Sequence, residues 1–300
     1  MLTVSSLARN GPLLTFGAAA CYGFNVAFAR LASFEGISGT SLVAYRVALL
    51  LIAAGALALV ARRSLAVPRG DWGRLALLGA TSVVVGIAYL SSVTFIPVTV
   101  AVMIFYIYPA LILLAGPFLG EGRLTPALLA VAGLAFTGVV LVIGPAFVGL
   151  DPRGLALAAL AAVATAVQFY AAAATRRTSL LTKVFWIQVI VLPASLAIGA
   201  LTGGLATPAD LGRAPVAVLL ATVGHTLGFC LQMAALTRTR PGLAGLIFCF
   251  EPVAAAVTAA FVLGESLTPV QAFGGALVLA AIGLSVSVEQ RRTPVQGATP

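Results

Sequence analysis

Apolar residues run in long blocks, broken by short clusters of glycine, proline and charge. The blocks cover approximately residues 11–33, 38–61, 72–92, 98–119, 125–144, 153–174, 180–202, 214–236, 241–263 and 268–288. Each is close to the ~20 residues a helix needs to cross a bilayer. Period-two alternation is absent, and alanine and leucine dominate. Only helices and closed barrels satisfy their backbone in lipid. These runs are too long and too uniformly apolar for barrel strands. The pattern predicts an all-α integral membrane protein with ten transmembrane helices.

One phrase occurs twice. Residues 105–126 read FYIYPALILLAGPFLGEGRLTP, and residues 248–269 read FCFEPVAAAVTAAFVLGESLTP. Phe105 to Pro109 and Phe248 to Pro252 share one spacing, as do Pro109 to Pro126 and Pro252 to Pro269. The chain therefore divides into a first repeat, 1–147, a second, 148–288, and a polar tail, 289–300, expected to be disordered in the cytoplasm. Each repeat holds five spans, an odd number, so the two are expected to be inverted. That architecture places a transport site at the repeat interface.

Composition agrees: 61% of residues are hydrophobic, 8% are charged and the mean hydropathy is +1.12. The net charge of +9 would suggest nucleic acid in a soluble protein, but here the basic residues follow topology. With a cytoplasmic N-terminus, Arg9, Arg62, Arg63, Arg69, Arg74, Arg123, Arg176, Arg177, Lys183, Arg238, Arg240, Arg291 and Arg292 all fall inside. Only Arg153 and Arg213 fall outside. This positive-inside bias puts both termini in the cytoplasm. The basic loops then face anionic headgroups, making membrane lipid a partner and nucleic acid none. Arginine supplies every basic residue except Lys183, a composition associated with GC-rich bacterial genomes, and the inner membrane is the expected location. Cys21, Cys230 and Cys249 lie inside spans and read as small fillers. Neither a metal-ligand set nor a nucleotide-binding loop is visible, so no cofactor or metal is expected.

The chain resembles the drug/metabolite transporter superfamily, specifically its EamA family. The carrying residues are Pro109, Leu-Gly-Glu121 and Leu-Thr-Pro126, with Glu251-Pro252, Leu-Gly-Glu265 and Leu-Thr-Pro269 as their partners. Tyr22-Gly-Phe-Asn25, Ala-Arg30-Leu and Tyr45-Arg46 add to them, and Trp186-Ile-Gln188 is read as the second repeat's version of Tyr45-Arg46. The resemblance implies efflux of amino acids or related small metabolites. Tyr22 departs from the tryptophan common near that position in the family.

The residues themselves point to a site between the repeats. Polar groups at membrane depth are costly and usually face a cavity. Tyr22, Asn25, Arg46, Tyr106, Gln168, Gln188, His225 and Gln232 are the candidate substrate contacts. His225, Phe229 and Gln232 share one helical stripe. The bland reading of the amides is helix-to-helix bonding. For Arg46 it is pairing with a headgroup or the Glu35 region, and for Arg30 snorkelling. Glu251, the only carboxylate near the middle of a span, is the candidate proton carrier. Its alternatives are pairing with Arg46 or His225, or binding a substrate amine. Pro109 and Pro252 each remove a backbone N–H and are candidate hinges, with a static kink as the alternative. The expected function is a secondary transporter working by alternating access, one chain enclosing the site. A membrane-embedded enzyme or a non-transporting receptor is the alternative class.

Overall fold

A computed structural model describes residues 10–121, 123–144, 151–203 and 205–292, with side chains described to residue 287. Arg9, the expected repeat boundary at 147/148 and residues 293–300 of the expected tail lie outside the described residues.

The described residues contain ten helical spans: Gly11–Phe34, Gly39–Val60, Trp72–Ser92, Val98–Leu119, Pro126–Ile143, Pro152–Ala174, Leu180–Leu201, Pro215–Ala235, Pro241–Leu263 and a tenth that starts at Pro269. The last helix runs on to Arg292, past the boundary drawn from sequence. The helix has no reason to stop at 288, because the first four residues of the expected tail, Glu-Gln-Arg-Arg at 289–292, are good helix formers. Starts are set by side-chain caps. Asn10, Ser38, Thr125, Asp151 and Ser179 each accept a hydrogen bond from an N–H in the first turn of the helix they precede, and most of the proline-initiated spans carry Pro where its missing N–H costs nothing. The Asp151 carboxyl is held below the usual carboxylate range, chiefly by hydrogen bonds from the Arg153 side chain and backbone.

Packing follows an internal two-fold. The first span lies along the eighth, and the third along the sixth. The first also packs on the ninth, and the sixth on the fourth. Spans two and seven pair with each other, as do five and ten. Exchanging spans one to five with spans six to ten reproduces this list, and five crossings per repeat make the repeats inverted. The sixth span is half buried along its apolar window, whereas the second, fifth, seventh and tenth are 28% buried. Spans one, three, four, six, eight and nine therefore form the centre, and the other four are the most exposed, with span two reaching inward through Arg46.

The fourth and ninth spans break at equivalent depth. The fourth divides into Val98–Phe105 and Tyr108–Ala115, and the ninth into Pro241–Phe248 and Phe250–Leu263. Each break sits two or three residues before the repeated proline, Pro109 or Pro252. Proline clashes with and frees the carbonyl a turn upstream, so the interruption falls there rather than at the ring. Pro193 lies inside the seventh helix, which stays continuous.

Candidate functional site between the repeats

Close glycine contacts set the geometry. Gly224 and Gly228 of the eighth span let the first span approach. A Cβ at Gly224 would lie 3.0 Å from Phe24 and 3.2 Å from Asn25 Cβ, and one at Gly228 would lie 3.2 Å from the Tyr22 ring. On the opposite side, a Cβ at Gly23 would lie 2.6 Å from Ala254 Cβ, Ala255 N and the Glu251 carbonyl. Small residues four apart permit this approach in membranes, where van der Waals packing replaces the hydrophobic drive. The first span is thus wedged between the eighth and ninth.

This wedge assembles a polar cluster. The Tyr22 hydroxyl donates to Oε1 of Gln232 at 2.8 Å. Arg46 Nη1 donates to Oδ1 of Asn25 at 3.4 Å. Arg46 Nε is buried and has no hydrogen-bond partner among the described residues. The Tyr22 ring meets the His225 imidazole edge-on at 5.5 Å between centroids, and His225 stacks near-parallel on Phe229 at 6.2 Å. The predicted stripe of His225, Phe229 and Gln232 therefore does face the first span. Glu251, on the ninth span, lies near the Tyr106 side chain. It joins no ion pair among the described residues.

An aromatic chain connects the halves. Tyr22 contacts Phe248, Phe248 contacts Phe169, and Phe169 contacts Tyr108, at centroid distances of 6.1, 5.2 and 5.6 Å. Tyr108 packs on Tyr106 and Phe105, and Phe105 on Tyr89. Tyr22, Asn25, Arg46, Tyr106, His225, Gln232 and Glu251 are thus gathered from spans one, two, four, eight and nine. Gln168 instead donates to the Ser82 hydroxyl at 2.7 Å, joining spans six and three. That bond is the inversion mate of the contact between spans one and eight.

Gln188 is buried, 3% exposed, but its register differs from the reading as Arg46's counterpart. Ser38 and Ser179 cap their spans alike. Counting from these caps, Tyr45 matches Trp186 and Arg46 matches Ile187, so Gln188 falls one residue, or about 100°, further round the helix. Arg30, expected to snorkel, forms a 2.9 Å ion pair with Glu265 between half-exposed side chains.

Some functional geometry was missed from sequence. The Ser41 hydroxyl accepts from Ala206 N at 2.9 Å, and the Tyr45 hydroxyl donates to Ala206 O at 2.6 Å. At the other end of the bundle, Trp186 Nε1 donates to Leu65 O at 2.9 Å, and the Thr182 hydroxyl reaches Ser64 O at 3.5 Å. Spans two and seven each grip the loop that follows the other. Nearby, buried Asp71 accepts from the Thr178 hydroxyl at 2.7 Å and pairs with Arg74 at 3.4 Å. The signal available for this was the repeated Asp-x-Gly-Arg, at Asp71–Arg74 and Asp210–Arg213, each an i,i+3 ion pair.

Ten spans, inverted repeats and a polar cluster between them define a multi-pass small-molecule transporter. The EamA-like transporter family matches the chain twice, over residues 9–144 and 152–287, and the chain belongs to that family. It is similar to the threonine/homoserine exporter RhtA of Escherichia coli K12, with 35% identity over 77 residues. The same similarity holds for RhtA of Escherichia coli O157:H7. This match spans 25% of the chain and 26% of the exporter. The fold matches a solved structure described as "Crystal structure of protein", with a TM-score of 0.79 at 19% identity, covering 94% of this chain and 100% of that one.

Proposed function

We propose that the protein is a secondary exporter of a small carboxylate-bearing metabolite, an amino acid or a related compound. It sits in a bacterial inner membrane with both termini in the cytoplasm. The observation that carries this reading is Arg46. A charged side chain at membrane depth costs about 2.5–3.5 kcal/mol on insertion scales, and a buried charge is normally paired. Among the described residues Arg46 has only the Asn25 amide, at 3.4 Å, and its Nε has no partner. A substrate carboxylate supplies the missing acceptor. Tyr22, held by Gln232, and His225 complete the wall beside it. The similarity to a threonine/homoserine exporter over a quarter of the chain is consistent with this substrate class.

Glu251 carries the coupling proton. It adjoins the break in the ninth span and Pro252, so movement there changes its access to water. Its counterpart in the first repeat is Tyr108, which cannot titrate near neutral pH. Coupling is therefore asymmetric, with one proton site per chain. Pro109 and Pro252 serve as the hinges of alternating access.

The test is Glu251→Gln in proteoliposomes with an imposed pH gradient. Loss of gradient-driven accumulation with retained substrate exchange is expected. Loss of both would assign Glu251 to substrate binding, through an amine, instead. Undiminished accumulation would remove it as the proton carrier.

A further inference from the structure

A second feature lies outside the central cluster, at one end of the bundle. A shallow recess opens between both repeats. Its wall includes Leu113, Leu124, Leu128 and Leu243, which are apolar, and Arg123 and Arg240, which are charged. Glu121 is the one carboxylate in the wall, so two positive charges face one negative. The two arginines come from different connections: Arg123 precedes the fifth span, and Arg240 precedes the ninth. Both connections leave even-numbered spans, so they share a side of the membrane. Arg62, Arg63, Arg69, Arg176, Arg177 and Arg238 lie on that same side.

The position of the recess selects among ligands. Leu128 belongs to the fifth span and Ser285, also in the wall, to the tenth. These are two of the four spans with the most lipid-facing surface, 28% buried. Beside the recess the fourth and ninth spans cross closely. There a Cβ at Gly245 would lie 3.2 Å from Ile112 and 3.4 Å from Pro109 Cα. The Tyr170 hydroxyl, in the wall, is already committed to Ile112 O at 2.6 Å. A ligand here needs a negative head at the depth of the span ends and an apolar body beside leucines. Basic pockets between spans meet that description when they bind anionic lipid.

We propose that this recess binds the phosphate headgroup of an anionic phospholipid, with Arg123 and Arg240 on the phosphate and the leucine wall against an acyl chain. Because the headgroup is held by residues just before the fifth and ninth spans, its occupancy joins the two repeats at one end.

The test uses the full chain in nanodiscs of phosphatidylcholine containing phosphatidylglycerol, with retained lipid counted by native mass spectrometry. The wild type is expected to enrich phosphatidylglycerol. Each arginine contributes about fivefold and the pair about thirtyfold, so Arg123→Gln with Arg240→Gln abolishes most of the enrichment. Arg123→Lys with Arg240→Lys keeps charge at both positions and retains most of it, which separates charge loss from misfolding. Arg62→Gln with Arg63→Gln leaves it unchanged. Equal loss in the Arg62/Arg63 pair would replace the site with a diffuse field and overturn the proposal. Displacement of the lipid by glycerol phosphate alone would also overturn it, showing a site for a free phosphate. Neither result bears on export through the central cluster, which is read by transport rather than lipid retention.

Discussion

Replacing Gly23 by alanine tests whether the wedge of the first span builds the site. The added Cβ would lie 2.6 Å from three atoms of the ninth span, two of them backbone. Carbon atoms in contact sit about 3.5–4.0 Å apart, so the spans must separate by about 1 Å. Overpacking of this kind costs about 1–3 kcal/mol. Alanine also gains up to about 1 kcal/mol in a helix interior, which masks part of that loss. Gly17→Ala provides the control. It lies on the same span with the same propensity gain, and its nearest neighbour is a Leu231 methyl at 3.5 Å, an ordinary contact. The difference between the two variants isolates the clash and is expected to be about 1–3 kcal/mol. Unfolding midpoints of purified protein in mixed detergent micelles measure it. Gly23→Ala should also weaken substrate affinity, because a separation of about 1 Å between the first and ninth spans displaces the Tyr22 ring from Phe248, at 6.1 Å between centroids. Equal midpoints and equal affinity for the two variants would refute the claim that this contact sets the geometry.

Two further outcomes follow. Reporter fusions after Glu35, Asp151 and Asp210 should report outside, and fusions after Arg63, Arg177 and Arg238 inside; a cytoplasmic signal from the Asp151 fusion contradicts the inverted topology. Asp151, whose carboxyl is depressed below its ordinary value of 3.8 by Arg153, lends its cap stability above that value and loses it as pH falls through the folded-state value. Arg153→Gln should therefore raise the Asp151 pKa toward 3.8, read by carbon NMR of labelled carboxyls, and an unchanged value would contradict the assigned cause.

The spans were legible because lipid leaves the chain little choice. Every run long and apolar enough to cross forms a helical span, and the repeated Pro109 and Pro252 marked the breaks to within three residues. The gathering of Tyr22, Asn25, His225, Gln232 and Glu251 was also legible, since polar side chains inside spans have few other places to go. Less was legible where packing decides. Gly224 and Gly228 flank a buried face, and composition alone does not say which span will fill it. The grips of Tyr45 on Ala206 and Trp186 on Leu65 join a side chain to a backbone far away in sequence, so no local pattern reports them. Gln188 falls out of register with Arg46 because the caps Ser38 and Ser179 pair Arg46 with Ile187, and one residue turns a side chain by about 100°.

The central claim is that substrate is held between the repeats by Arg46. The measurement is counterflow in proteoliposomes, with wild type and Arg46→Gln assayed against threonine, homoserine and a wider panel of metabolites. Losing one charge-assisted contact costs about 1.5–3 kcal/mol, a ten- to hundredfold fall in affinity. The account predicts carboxylate exchange by the wild type, its loss in Arg46→Gln, and an unfolding midpoint unchanged or raised, since an unpaired buried charge has been removed. Exchange by Arg46→Gln at wild-type affinity would contradict it.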